Sequence, residues 1–266
     1  MSFKGKAIII TGASSGIGQA LAITLAQQGA NLALAARNSE ALEKTVQLCL
    51  QSAGTAISVT TDVTDPAACQ RLIDHTVDTF GQIDCLVNNA GTTFVSRFDE
   101  VSDLSIFEQV LQVNFLGAVY CTHAALPFLK QTQGLLVAIS SLCGKSGVPM
   151  RSGYVASKHA VQGFFDSLRI ELRESGIDVL VVSPGFVATG IREKAFRGDG
   201  SVWNHSHRDE NSQTMPLEKC VQLIVEGMSK RQREVLMTRK GKFLPWAKLI
   251  APKWVDGLMA KTLMKP

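Results

Sequence analysis

Residues 6–18 read KAIIITGASSGIG, and this stretch decides the fold. Ala7 to Ile10 is continuously apolar, Thr11 and Gly12 break the run, and Gly16 opens a helical pattern that continues to Gln28. A run that is apolar at every position is the signature of a parallel strand covered on both faces. Feeding such a strand through a glycine-rich turn into a helix makes the first unit of an α/β fold. The same alternation repeats outward along the chain. Strands are expected at Lys6–Thr11, Asn31–Ala36, Ala56–Thr60, Ile83–Asn88, Leu135–Ser140, Asp178–Ser183 and Glu234–Thr238. Helices are expected at Gly16–Gln28, Ser39–Ala53, Pro66–Phe80, Asp103–Gln131, Gly153–Glu174 and Pro216–Lys230. Gly29 and Gly176 stand where helices stop, and Asp65 followed by Pro66 is an N-cap with proline at the first helical position. Repeated units of this length predict right-handed crossovers and one doubly wound parallel sheet over residues 1–266. Thr189–Met215, rich in Gly, His, Asn and Ser, reads as a long mobile loop, and loops this long in a compact domain are usually functional.

Composition narrows the class further. The chain has 266 residues, 45% hydrophobic and 19% charged, which excludes disordered, collagen-like and coiled-coil chains. The apolar runs are too short to cross a bilayer, and nothing at the N-terminus reads as a signal peptide or anchor. Six dispersed cysteines without a CxxC pair indicate neither a zinc site nor a disulfide framework, so they are expected as free thiols in a reducing cytoplasm. His205 and His207 lack a third ligand nearby, and no metal is expected. Net charge is +4, with eleven Lys or Arg against four Asp or Glu between Pro216 and Pro266. No RNP-like, zinc-finger or helix-turn-helix pattern accompanies that charge, so nucleic acid is not an expected partner.

The turn carries the first chemistry. Its glycines, Gly12, Gly16 and Gly18, permit a tight bend, and Ser14, Ser15 and Ile17 complete a run of backbone N–H groups at the positive end of a helix dipole, a seat for a pyrophosphate. The spacing GxxxGxG makes a wider turn than GxGxxG. The second strand ends Ala36-Arg37-Asn38, where a dinucleotide fold usually places an acid for the ribose 2′-hydroxyl of NAD. No carboxylate stands there. An arginine can hold a 2′-phosphate with a charge-assisted fork, which favours NADP(H) over NAD(H).

Tyr154 and Lys158 are four apart at the start of a helical segment and share one face. Ser140 and Ser141 end the strand before them, at the carboxyl edge where open α/β sheets bind ligands. Asn88-Asn89-Ala90-Gly91 closes another strand at that edge, Asn114 lies beside it, and Ser183-Pro184-Gly185 closes a third. A free phenol, with a pKa near 10, is too weakly acidic to serve as a base near neutrality. A cation ~4 Å away, at an effective dielectric of ~20, is worth ~4 kcal/mol, enough to lower it by up to about three units.

Taken together, TGASSGIG, Asp62-Val63, NNAG, Asn114, Ser141, YVASK and Pro184-Gly185 with Thr189 resemble the short-chain dehydrogenase/reductase family in order and spacing, over about residues 5 to 240. Residues 140–172 look most like the branch containing the 11β-hydroxysteroid dehydrogenases and related dehydrogenase/reductases. The resemblance implies a sheet of order 3-2-1-4-5-6-7 and a reaction at a CH–OH group. It implies Tyr154 as general acid or base, Ser141 as a hydrogen-bond donor to the substrate oxygen, Lys158 on the nicotinamide ribose, and Asn114 as anchor of a proton-feeding water. It implies cofactor contacts from Gly12, Ser14, Ser15, Gly16, Ile17, Gly18, Arg37, Asn38, Asp62, Val63, Asn88, Ala90, Gly91, Tyr154, Lys158, Pro184, Gly185, Val187 and Thr189. Family members commonly assemble as homodimers or homotetramers through the Tyr154 helix, whose stripe of Val161, Phe164, Phe165, Leu168 and Leu172 exceeds what one sheet contact needs.

The leading expectation is an NADP(H)-dependent oxidoreductase acting on an apolar carbonyl or alcohol. An epimerase or dehydratase of the same fold, and a catalytically silent nucleotide sensor, are the alternatives. The substrate-binding loop is expected at residues 189–215 and an amphipathic extension at 242–266. In that extension Pro245 is expected to start a helix and Pro252 to end it and begin another. Its bulky apolar residues would wall the substrate site, contact a partner subunit, or touch a membrane.

Overall fold

The computed structural model describes residues 2–191, 195–203 and 214–263. Strands β1 (Ala7–Thr11), β2 (Asn31–Ala36), β3 (Thr55–Thr60), β4 (Cys85–Asn88), β5 (Leu135–Ile139), β6 (Asp178–Ser183) and β7 (Glu234–Leu236) form one parallel sheet of order β3-β2-β1-β4-β5-β6-β7. Helices α1 (Gly16–Gln27), α2 (Ser39–Leu50), α3 (Pro66–Phe80), α4 (Ser105–Leu111), α5 (Gly117–Thr132), α6 (Ser152–Glu171) and α7 (Leu217–Ser229) cover its faces, followed by α8 (Arg239–Ile250) and α9 (Pro252–Leu263). The expected doubly wound sheet is present, and its strand order reverses between β1 and β4, where such sheets bind ligands.

The continuous apolar character of the strands has a direct physical reading. On β1, Ile8 and Ile10 join a core layer with α1, α2 and α7, while Ile9 joins the opposite layer with α3, α5 and α6. Every residue of β1 is buried. The stops fall where the sequence placed them: Gly29 and Gly176 adopt φ of 79° and 73°, and Asp65 accepts the Ala67 amide hydrogen bond at 2.8 Å ahead of Pro66.

Two expected elements differ. The single helix expected over 103–131 is divided into α4 and α5 by a π-helical turn, Gln112–Leu116, which contains Asn114. The extra residue of a π turn shifts the helical phase without any breaker residue to mark where it falls. Likewise, α8 starts at Arg239 rather than at Pro245, because the Thr238 hydroxyl caps it by accepting from the Gly241 amide at 2.9 Å. Ala251 does end that helix and Pro252 does begin the next. Within the 189–215 stretch, residues 195–203 form a packed turn: Phe196 bridges Phe94, and its ring joins a small core with Ile106 and Val110. His205 and His207 lie outside the described residues; among the described ones no cluster of metal-ligating side chains occurs.

All six cysteines are free. Burial pushes Cys49 up to about 11, Cys220 up to about 12, and Cys85 higher still. These folded-state values exceed that of an exposed thiol, so the stabilisation is complete below about pH 8.5 and is lost as pH rises toward 11. At about 1.4 kcal/mol per thiol per pH unit, the three lose roughly 4 kcal/mol between about pH 9 and 10. Lys158, lowered to about 8 by burial, offsets roughly one of them. The melting temperature should therefore fall by roughly 5 °C between pH 9 and 10. A scanning-calorimetry series that stays flat over that unit refutes the assignment.

Candidate active site

The phosphate turn is shaped by close backbone contacts. Gly12 has φ of 66°, and a Cβ there would lie 2.8 Å from the Cα of Ala90. At Gly18 a Cβ would meet the Gly12 carbonyl oxygen at 2.4 Å and Asn89 Nδ2 at 2.5 Å. Asn89 explains the second clash, since its amide donates to the Thr11 and Gly12 carbonyls at 2.8 and 3.2 Å and clamps the turn to the end of β4. The Thr11 hydroxyl accepts from the Asn89 and Ala90 amides. Helix α1 then starts at Gly16 behind Ser15, with no acidic residue in its first turn and its leading N–H groups lacking intrahelical acceptors. Those leading N–H groups, with Gly12 and Gly16 at positive φ ahead of them, fit a pyrophosphate.

Neighbouring elements meet the turn. Thr189 lies against Gly16, within 3.5 Å of where a Cβ would stand, so the loop after β6 closes onto it. Val187 pairs with Met215, tying the two ends of that loop together. Arg37 and Asn38 are exposed at the end of β2, where the Asn38 side chain caps α2 at the Ala41 amide. Asp62 holds its own turn through the Thr64 amide and hydroxyl, and Val63 packs against Gly117 on α5. Asn88 points elsewhere: its amide donates to Thr122 on α5, so only its backbone stands at the edge. Asn89 is the residue that reading of the sequence missed, although the doubled asparagine signalled it.

The chemical centre lies across the β4 and β5 ends. Ser140 is buried with its hydroxyl toward the Lys158 carbonyl, whereas the partly exposed Ser141 accepts from the Cys143 amide and its hydroxyl acts on the Tyr154 phenol, favouring its ionised form. Lys158 is 5% exposed; its ammonium donates to the Ile139 carbonyl at 2.8 Å and stands 5.8 Å from the Tyr154 ring centroid. Asn114 is a strut. Its amide donates to the Thr92 carbonyl and the Ser157 hydroxyl, and its oxygen accepts from the Thr92 amide at 2.7 Å. Ser157, unnoticed inside YVASK, passes this link to the Tyr154 carbonyl. A Cβ on Gly91 would sit 3.3 Å from Asn114 Oδ1 and 3.8 Å from Lys158 Nζ, so glycine keeps that gap open. Pro184 accepts the Leu142 amide, and Gly185 lets Thr238 approach to 3.0 Å of a Cβ position, which completes the rim.

The electrostatics oppose one expectation. Burial, then the neighbouring Cys143, push the Tyr154 phenol above its ordinary value, against the Ser141 hydroxyl and Arg151, which lower it. Burial also lowers Lys158 to about 8. The same desolvation that weakens the lysine's charge raises the phenol. The stripe on α6 differs too: Val161, Phe165 and Leu172 are core residues, and Phe164 stacks edge-on to Phe115. Most of that surface is satisfied within the chain.

Comparison with known proteins agrees with this architecture. A family profile described as short chain dehydrogenase matches residues 6–200. The Arabidopsis thaliana 11-beta-hydroxysteroid dehydrogenase 1A is 38% identical over 258 residues, covering 95% of this chain and 74% of the relative. The Rattus norvegicus dehydrogenase/reductase SDR family member 7B is 34% identical over 270 residues, covering 97% and 81%. Among solved structures, a short chain dehydrogenase/reductase from Burkholderia phymatum in complex with NAD superposes with a TM-score of 0.83 at 26% identity, covering 100% of this chain and 99% of that one. An alcohol dehydrogenase from Thermococcus sibiricus complexed with 5-hydroxy-NADP gives 0.76 at 26% identity, covering 87% and 95%. A glycine-clamped phosphate turn, a serine–tyrosine–lysine cluster at the carboxyl edge and these likenesses carry one conclusion: the chain is an oxidoreductase that belongs to the short-chain dehydrogenase/reductase family.

Proposed function

We propose that this protein interconverts an apolar carbonyl compound and its secondary alcohol using NADP(H), with Tyr154 as the general acid and base. The carrying observation is the contact between the Ser141 and Tyr154 side chains with Lys158 buried beside the ring. When bound, the dinucleotide supplies or accepts a hydride. Gly12, Ser14, Ser15, Gly16, Ile17 and Gly18 would hold its pyrophosphate, and Arg37 and Asn38 its adenosine end. Asp62, Val63, Ala90 and Gly91 would flank the adenine side, and Pro184, Gly185, Val187 and Thr189 the nicotinamide side.

Reduction asks Tyr154 to release its proton to the carbonyl oxygen as negative charge develops there, while Ser141 donates to the same oxygen. A phenol raised by burial stays protonated at neutral pH, ready for that transfer. Oxidation asks for the opposite state. Lys158, lowered to about 8, stands 5.8 Å from the ring centroid, and a ligand that draws its ammonium from the Ile139 carbonyl toward the phenol would favour the phenolate. The strut of Asn114, Thr92 and Ser157 holds the tyrosine backbone still during either transfer.

Arg37 supports the choice of phosphate. It stands exposed, without a carboxylate at the end of β2 to repel a 2′-phosphate. NADPH should bind at least tenfold tighter than NADH, about 1.4 kcal/mol. Ala36→Asp with Arg37→Ala should reverse that order in a fluorescence titration; equal affinities in the unaltered protein would sink the cofactor assignment. An apolar substrate accords with relatives named as hydroxysteroid dehydrogenases. The reading extends to a homodimer or homotetramer in the cytoplasm, for which Ile170, 78% exposed on α6, offers a contact.

A further inference from the structure

Helix α8 faces the wrong way for water. Phe243, Trp246, Leu249 and Ile250 are 71, 65, 78 and 82% exposed. Spaced three, six and seven residues from the first, they fall within one stripe of the helix. Its other side packs inward: Gly241 is buried, and a Cβ there would press on Leu142 at 2.5 Å. On α9, Val255 is buried, while Trp254 is 64% exposed. Lys253 and Lys261 are exposed on α9 with Trp254, while Lys248 is exposed on the side of α8 away from the stripe. From Arg239 to Pro266 the chain carries seven Lys or Arg against one Asp, whereas the remainder carries twenty basic and twenty-two acidic residues. Apolar surface and positive charge are thus gathered on the same two helices.

This combination selects the occupant. A second copy docking on the same face would set these lysines against themselves, since a two-fold contact pairs identical patches. A purely apolar segment would match the stripe and strand the cations. An anionic bilayer surface satisfies both, with tryptophan and phenylalanine at the headgroup boundary and lysine stems reaching up to the phosphates. Neither helix can do more than lie there. Each is twelve residues long, about 18 Å at 1.5 Å per residue, against a hydrocarbon core of about 30 Å.

We propose that α8 and α9 dock the protein peripherally on membranes rich in anionic phospholipid, with the α8 stripe and Trp254 inserted at the interface. The proposal is independent of the reaction assigned above. Its test is sedimentation of the full chain with vesicles of phosphatidylcholine alone or with 30% phosphatidylglycerol, read together with tryptophan emission. Trp246 and Trp254 are two of the three tryptophans, so the emission reports mainly this face. Anionic vesicles should bind at least tenfold more protein than neutral ones at low salt, with a blue shift, and 0.5 M NaCl should remove most of that difference. Trp246→Asp with Trp254→Asp should lower binding at least tenfold while leaving NADPH affinity unchanged. Lys253→Glu with Lys261→Glu should abolish the preference for phosphatidylglycerol alone, which keeps the test valid if the aspartate variant folds poorly. Absence of binding to anionic vesicles overturns the proposal. So does light scattering in which the aspartate substitutions split an oligomer, because a second copy then covers the face.

Discussion

Tyr154→Phe should lower kcat by at least ~10² with NADPH affinity little changed, the loss typical of removing a positioned general acid. The ring's packing and its distance from Lys158 persist in phenylalanine, so the substitution removes little beyond the hydroxyl. Because the phenol is raised by burial, the wild-type reduction rate should stay level through neutral pH and fall only in alkali. The variant should show no such limb. Single-turnover reduction of a ketone followed at 340 nm separates chemistry from product release. A phenylalanine enzyme retaining most of its rate would remove Tyr154 from the chemistry and leave the silent-sensor alternative standing.

Gly18→Ala should raise the Kd for NADPH by ~10² or more and lower stability by about 1–3 kcal/mol, the usual cost of overpacking. One methyl group there is placed 2.4 Å from the Gly12 carbonyl oxygen and 2.5 Å from Asn89 Nδ2. The first is backbone, so the turn itself must move, and with it the N–H groups offered to the pyrophosphate. Gly163→Ala is the matched control: nothing lies within 4 Å of its Cβ position on α6, and alanine in a helix is favoured by about 1 kcal/mol. Calorimetric titration of both variants decides the matter. Unaltered nucleotide affinity in Gly18→Ala would show that the clamp between Gly12 and Asn89 is not what forms the seat.

Much of this site was legible because its residues carry chemistry in the primary structure. Tyr154 and Lys158 lie four apart on one helix, where spacing alone sets a common face, and the phosphate turn is local to residues 11–18. The links between elements were not legible. Asn89 reaches back 77 residues to Gly12, and Asn114 reaches 43 residues forward to Ser157; no local pattern encodes such partners. The division of the 103–131 helix at Asn114 escaped for a related reason, since a π turn preserves side-chain type while shifting register.

By itself the sequence determined the layering. Strands apolar at every position must be buried on both faces, and crossovers of this length are right-handed, so a parallel doubly wound sheet follows from local pattern and chirality. It likewise determined which residues stand at the carboxyl edge. Tertiary structure alone decided where their protons sit and which apolar faces remain uncovered. Burial, a sum over neighbours distant in the chain, raises Tyr154 and lowers Lys158, against what their charges predict as an isolated pair. It also claims the Val161 and Phe165 side of α6 for the core, while the packing of Gly241 on Leu142 turns the apolar stripe of α8 outward. A periodic pattern shows that a helix has an apolar side; only its neighbours determine which way that side faces.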